Sequence, residues 1–112
     1  MDNKVVFHKE LAAGRWREFS LAEQMGNIGS EVSRALSVQG KDEKLFRGAV
    51  NRALELFDLT LKDARWQGRL REIARAREIF VDAVTGGKEY KSSLRDLLPY
   101  FDSFALMARK NV

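Results

Sequence analysis

The chain has 112 residues, 45% of them hydrophobic and 32% charged, with 20 Lys and Arg against 16 Asp and Glu for a net charge of +4. That length suits one domain, residues 1–112, with a continuous core, and the composition is too apolar for a disordered chain. The absence of cysteine excludes disulfides, thiolate nucleophiles and cysteine zinc sites, and no apolar run approaches the roughly 18 residues of a membrane span.

Residues 1–14 read as an arm, in which Asp2, Lys4, His8, Lys9 and Glu10 interrupt the short apolar piece Val5-Val6-Phe7. No signal-peptide core is present there, so the expected compartment is the cytoplasm and no membrane partner is expected. The first helix is predicted to start near Trp16 or at Ser20 and to end near Ser37. Its apolar positions Leu21, Met25, Ile28, Val32 and Ala35-Leu36 recur at helical spacing, and Ser20 with Glu23 forms a capping-box pattern. Beside that stripe runs one of small residues: Ala22, Gly26, Gly29 and Ser33. Each glycine inside a helix costs about 1 kcal/mol relative to alanine, which close approach of another backbone would offset.

Gln39-Gly40-Lys41 marks a turn, and Asp42 caps a second helix over 43–62. Its wide apolar face, from Leu45 and Phe46 to Phe57 and Leu61, predicts a central place in the core, with Arg47, Asn51, Glu55, Asp58 and Lys62 opposite. Asp63 is positioned to cap a third helix over 64–85, with Trp66, Leu70, Ile73, Ala74, Phe80, Val81 and Val84 inward and Gly86-Gly87 as its C-cap. Ser92 or Ser93 starts a fourth element, which Pro99 either kinks or begins anew, ending near Lys110 with Phe101, Phe104, Ala105 and Ala108 inward. Short connections make consecutive helices antiparallel neighbours. The predicted fold is therefore all-α, an up-down-up-down four-helix bundle.

The residue types for common catalysis are scarce. His8 is the only histidine and sits in the arm without defined surroundings, and cysteine is absent, so the residues point to neither a Ser-His-Asp nor a Cys-His constellation. The Glu-x-x-His motifs of di-iron bundles are absent, as is the Arg-then-His pattern of helical HEPN ribonucleases. The carboxylate pairs Glu55/Asp58 and Glu78/Asp82 fall on predicted solvent faces, where surface ion pairing explains them. Gly26-Asn27-Ile28-Gly29 matches the GxxG loop of KH domains, but it lies inside an unbroken helical pattern with no strands around it. No enzyme activity, cofactor or metal is expected.

The third helix is rich in arginine: Arg65, Arg69, Arg71, Arg75 and Arg77. With acids close by, a salt-bridged solvent face accounts for Arg65, Arg69, Arg71 and Arg75. Joined by Arg15 and Arg17 they would instead form a ridge for nucleic acid or an acidic partner. Arg77 projects into the middle of the apolar arc. Either it meets a buried acid from another helix, or that face meets a second subunit.

The stretch Trp16-Arg17-Glu18-Phe19-Ser20-Leu21-Ala22-Glu23-Gln24-Met25-Gly26-Asn27-Ile28-Gly29-Ser30-Glu31-Val32, with Ala53-Leu54-Glu55-Leu56-Phe57-Asp58-Leu59-Thr60 and Arg71-Glu72-Ile73-Ala74-Arg75, resembles a group of small prokaryotic helical proteins of about this length. The resemblance covers most of the chain and implies no activity. In size, helix count and charge the chain is also similar to four-helix-bundle proteins related to rRNA intervening sequences and to retroelement accessory factors, which are basic oligomers associated with nucleic acid. The functional expectation is a non-enzymatic interaction module. It would associate with itself or with a protein partner through Ala22, Gly26, Gly29, Ser33 and Arg77. A basic accessory protein that binds RNA or DNA is the alternative.

Overall fold

The computed structural model describes residues 14–110, which hold four α-helices and two 3-10 turns and no strand. The arm's His8 and Val5-Val6-Phe7 lie outside the described residues. A 3-10 turn over Arg15–Glu18 leads into α1, Leu21–Val38; α2 is Glu43–Leu61; a second 3-10 turn, Ala64–Arg69, leads into α3, Leu70–Val84; α4 is Leu94–Lys110.

Helices α1, α2 and α4, and the 3-10 turn ahead of α3, start where a short polar side chain satisfies a free backbone N–H. Ser20 Oγ accepts from Glu23 N at 3.1 Å while Glu23 Oε1 accepts from Ser20 N at 2.9 Å, the reciprocal box anticipated for α1. Asp42 accepts from Leu45 N at 3.0 Å, and Asp63 accepts from Arg65 N at 3.1 Å. Ser93 and Asp96 repeat the box at α4, which therefore begins at Leu94 and carries Pro99 inside it rather than starting there. At the end of α3 the chain turns through Gly86 and Gly87, with φ of 120° and 69°. The Gly87 N–H donates back to Asp82 O at 2.8 Å.

The predicted third helix is split. Its first six residues form the 3-10 turn, and Trp66 has φ −103° and ψ 20° there. Trp66 is half-buried at the core's edge rather than within it. Asp63 caps the Arg65 backbone N–H, and Trp66, whose Nε1 donates to Gln24 on α1, is the residue that leaves α geometry before Leu70.

Helix α1, not α2, is the axis of the bundle. Nine of its eighteen residues are buried, against six of nineteen in α2. Its backbone lies close to α2 on one side and α4 on the other. The small-residue stripe explains the second approach. A Cβ placed on Gly29 would lie 2.5 Å from Phe101 Cβ, and one on Gly26 would lie 3.3 Å from Ala105 Cα. These pairs run in opposite directions along the chain, so α4 is antiparallel to α1. Helix α3 stands further off behind a cluster of buried aromatics, with Phe57 5.9 Å from Phe80 and 6.1 Å from Phe101 between ring centres. The wide apolar face of α2 is consequently only partly used: Leu45 is exposed, while Phe46, Val50 and Leu54 are half-buried. Glu55, placed opposite on the wheel, is buried instead.

Candidate functional site

The bundle topology puts the starts of α1 and α3 at the same end, where a polar network joins them. Trp16 is 2% exposed, and its Nε1 donates to Thr60 Oγ1 at 3.0 Å near the end of α2. Gln24, fully buried on α1, donates to Trp16 O at 2.9 Å and to Asp63 Oδ2 at 3.2 Å, and its Oε1 accepts from Trp66 Nε1 at 2.8 Å. Arg65 closes the network. It holds Asp63 at 2.7 Å, donates to Phe19 O at 2.8 Å and lies over the Trp66 ring at 4.4 Å from its centre. The Arg65 guanidinium, with help from its backbone N–H and Gln24, holds the Asp63 carboxyl down at about 2 against the opposing effect of burial. No buried side-chain polar atom in this corner lacks a partner, so the network pins elements together. Sequence patterning missed Gln24 and Thr60 because both look like ordinary helix positions. Only the shared corner makes them partners.

The six predicted ridge arginines gather at this end, though most already have a carboxylate. Arg65 is held by Asp63 as described, Arg69 pairs with Glu72 at 2.8 Å, and Arg15 lies 3.9 Å from Glu18. Arg75, one turn further along α3, lies 3.8 Å from Glu78 and 5.9 Å from the centre of the Tyr90 ring. Arg17 and Arg71 are exposed and make no ion pair among the described residues.

Arg77 does find an acid from another helix. Its Nε lies 3.0 Å from Asp58 Oδ1 on α2, with the two side chains 34% and 33% exposed. The pair sits at the edge of the core, so the charge needs no second subunit to satisfy it. Of the five candidate interface residues, Ala22 and Gly29 are buried inside the bundle and Gly26 is half-buried against Ala105. Only Ser33 remains fully exposed. The small-residue stripe is thus occupied by α4 of the same chain.

The carboxylate pairs are structural. Glu55 is buried and Asp58 serves Arg77. Glu78 accepts from the Tyr90 hydroxyl at 2.8 Å, and Asp82 accepts the backbone N–H groups of Glu89 and Tyr90, each at 3.0 Å, which holds the α3–α4 loop. Buried Glu31 is clamped between Arg34 and Arg52, the latter at 2.7 Å. Among the described residues no group of His, Asp and Glu could hold a metal ion. The glycines of the GxxG match lie inside α1 facing α4, in no loop at all.

What remains open is the outer face of α1. Its exposed positions are Glu23, Asn27, Ser30, Ser33, Arg34 and Ser37. The two charges have local duties, Glu23 in the capping box and Arg34 on Glu31. Between them the face is short, polar and uncharged. Shallow grooves flank it: one of about 230 Å3 lined by Trp16, Phe19, Asn27 and Leu56, and one of about 360 Å3 lined by Gly26, Ser33, Phe101 and Ala105. Both share Ser30 and Arg34. None of the described helices is long and apolar enough to cross a membrane. No protein-family model matches the chain, and neither a curated protein nor a solved structure matches it.

Proposed function

We propose that the protein is a non-enzymatic helical interaction module, associating with itself or with a protein partner through the outer face of α1. The observation that carries this reading is the makeup of that face: Asn27, Ser30, Ser33 and Ser37 hold four of the six exposed positions of the helix at the centre of the bundle, and the other two, Glu23 and Arg34, are engaged within the chain. In a chain that is 32% charged, an exposed helix face would ordinarily hold Lys, Glu and Arg, which are better helix formers than Ser and Asn. Ser30 and Ser37 even turn their hydroxyls back onto the Gly26 and Arg34 carbonyls, at 3.3 and 2.7 Å. Such back-bonding leaves a surface with little bound water to displace and with side chains short enough for another helix to approach closely. The grooves on either side give a docked helix room for its larger side chains.

Sedimentation equilibrium, with affinity capture from the source lysate, tests the proposal. The expected result is a dimer or a captured partner, lost in a Ser30→Glu/Ser33→Glu variant that keeps its helix content. A strict monomer at high micromolar concentration with no partner captured would overturn it.

A further inference from the structure

Charge is not spread evenly over the bundle. Arg15 and Arg17 on the first 3-10 turn, Arg65 and Arg69 on the second, and Arg71 in the first turn of α3 share one end. Lys62 after α2, with Arg109 and Lys110 closing α4, joins them because α2 and α4 run antiparallel to α1. Among the described residues, four carboxylates stand against these eight cations: Glu18, Glu23, Asp63 and Glu72. Asp58 lies one turn further in and is neutralised by Arg77. The opposite end is balanced, with Lys41, Lys44, Lys88, Lys91 and Arg95 facing Asp42, Glu43, Asp82, Glu89 and Asp96.

The kind of cation differs as well. Six of the eight at the charged end are arginine, whereas four of the five at the balanced end are lysine. Lysine is sufficient for solubility. Arginine offers a planar fork that matches phosphate oxygens in pairs. Arg17, Lys62, Arg71 and Arg109 make no ion pair among the described residues, so their charge is available.

From this juxtaposition we propose that the end of the bundle where α1 and α3 begin docks on the phosphate backbone of a double-stranded nucleic acid. This goes beyond the α1 face and uses different residues. Contact is with backbone rather than bases, since neither described tryptophan offers an open stacking face: Trp16 is buried, and the Trp66 ring is half-buried beneath Arg65. A membrane surface is the weaker fit. Leu106 and Met107 stand exposed nearby, but the rest of the apolar face of α4, Leu94, Leu97, Phe101 and Phe104, is buried in the bundle.

Fluorescence anisotropy with labelled duplex DNA and duplex RNA of about 20 base pairs, at about 50 to 200 mM salt, tests the proposal. Both duplexes are expected to bind, with affinity falling roughly as the third to fifth power of salt concentration. An Arg17→Ala/Arg71→Ala/Arg109→Ala variant is expected to lose about 100-fold or more, because each phosphate contact contributes about one power of salt. A Lys41→Ala/Lys44→Ala/Lys91→Ala variant removes the same charge from the other end and is expected to lose only a small part of that. Circular dichroism checks both folds. If the first variant does not fold, Arg71→Glu alone decides, with a loss of about tenfold expected from the same salt argument. Three results would overturn the proposal: no binding at the lowest salt, equal losses in the two triple variants, or binding to phosphatidylserine vesicles without binding to either duplex.

Discussion

Replacing Gly29 by alanine isolates the contact that sets the spacing of α1 and α4. In an open helix position this change gains about 1 kcal/mol, because alanine restricts the unfolded chain and propagates helix better. At Gly29 the new Cβ would lie 2.5 Å from Phe101 Cβ and 3.2 Å from its Cγ, well inside the roughly 3.5–4.0 Å at which carbons rest against each other. Phe101 is 1% exposed and has nowhere to retreat, so α4 must shift as a body and disturb Phe57 and Tyr100 beside it. Overpacking of this kind costs about 1–3 kcal/mol, which cancels or exceeds the helix-propensity gain and leaves a net loss of up to about 2 kcal/mol. Gly48→Ala is the matched control. Its Cβ would meet only the Arg52 guanidinium at 3.3 Å, which is held by Glu31 but need yield only a few tenths of an ångström, and the variant should fall short of the full gain of about 1 kcal/mol while staying above Gly29→Ala. Phe101→Leu combined with Gly29→Ala should give no relief, since leucine keeps the Cβ that clashes. Urea unfolding followed by circular dichroism, with unchanged m-values, reads all three. A Gly29→Ala variant as stable as Gly48→Ala would refute the close-packing account of the stripe.

Three further outcomes follow from the corner network and the α3–α4 contact. Asp63 titrates at about 2 in the fold against 3.8 unperturbed, so its ionised form contributes about 2 kcal/mol at neutral pH. Because the folded value is the lower one, that contribution is complete above the unfolded value and is lost as pH falls through 3.8 to about 2. The stability difference between wild type and Asp63→Asn, measured by urea unfolding across that range, should shrink accordingly; a gap independent of pH would contradict it. Trp16→Phe keeps an aromatic ring in the core but removes part of the buried indole and its hydrogen bond to Thr60, whose hydroxyl retains the Leu56 carbonyl as partner. A loss of about 2 kcal/mol is expected in thermal or urea melts, the lost bond and the lost packing each contributing about 1 kcal/mol. Burial, reinforced by Glu72, pushes the Tyr100 phenol up to about 12. In a spectrophotometric alkaline titration, Tyr100→Phe should remove a transition near there, and one removed near 10 would show the phenol to be solvated.

Secondary structure was largely readable because its causes are local. Ser20 with Glu23, Asp42, Asp63 and Gly86-Gly87 announce helix limits through short-range hydrogen bonds and backbone freedom. In the misread segment, 64–69, the deviation falls at Trp66, whose hydrogen-bond partner Gln24 is 42 residues away and so lies outside any local pattern. The arginine cluster was visible as composition, but its meaning was not. Arg15 and Arg65 are far apart in the chain, and only the parallel placement of α1 and α3 puts them at one end.

Composition, periodicity and caps by themselves determined that this chain is all-helical, that Ser20 and Asp42 cap the first two helices, and that Gly26 and Gly29 require a close neighbour. Tertiary structure decided who that neighbour is, α4 of the same chain, and so removed the stripe and Arg77 from the surface offered to a partner. It also made α1 the axis in place of the more apolar α2 and buried Gln24 and Glu31. The physical reason is the same throughout. Helix signals depend on residues a turn apart, whereas burial, pairing and surface charge depend on which helices lie side by side.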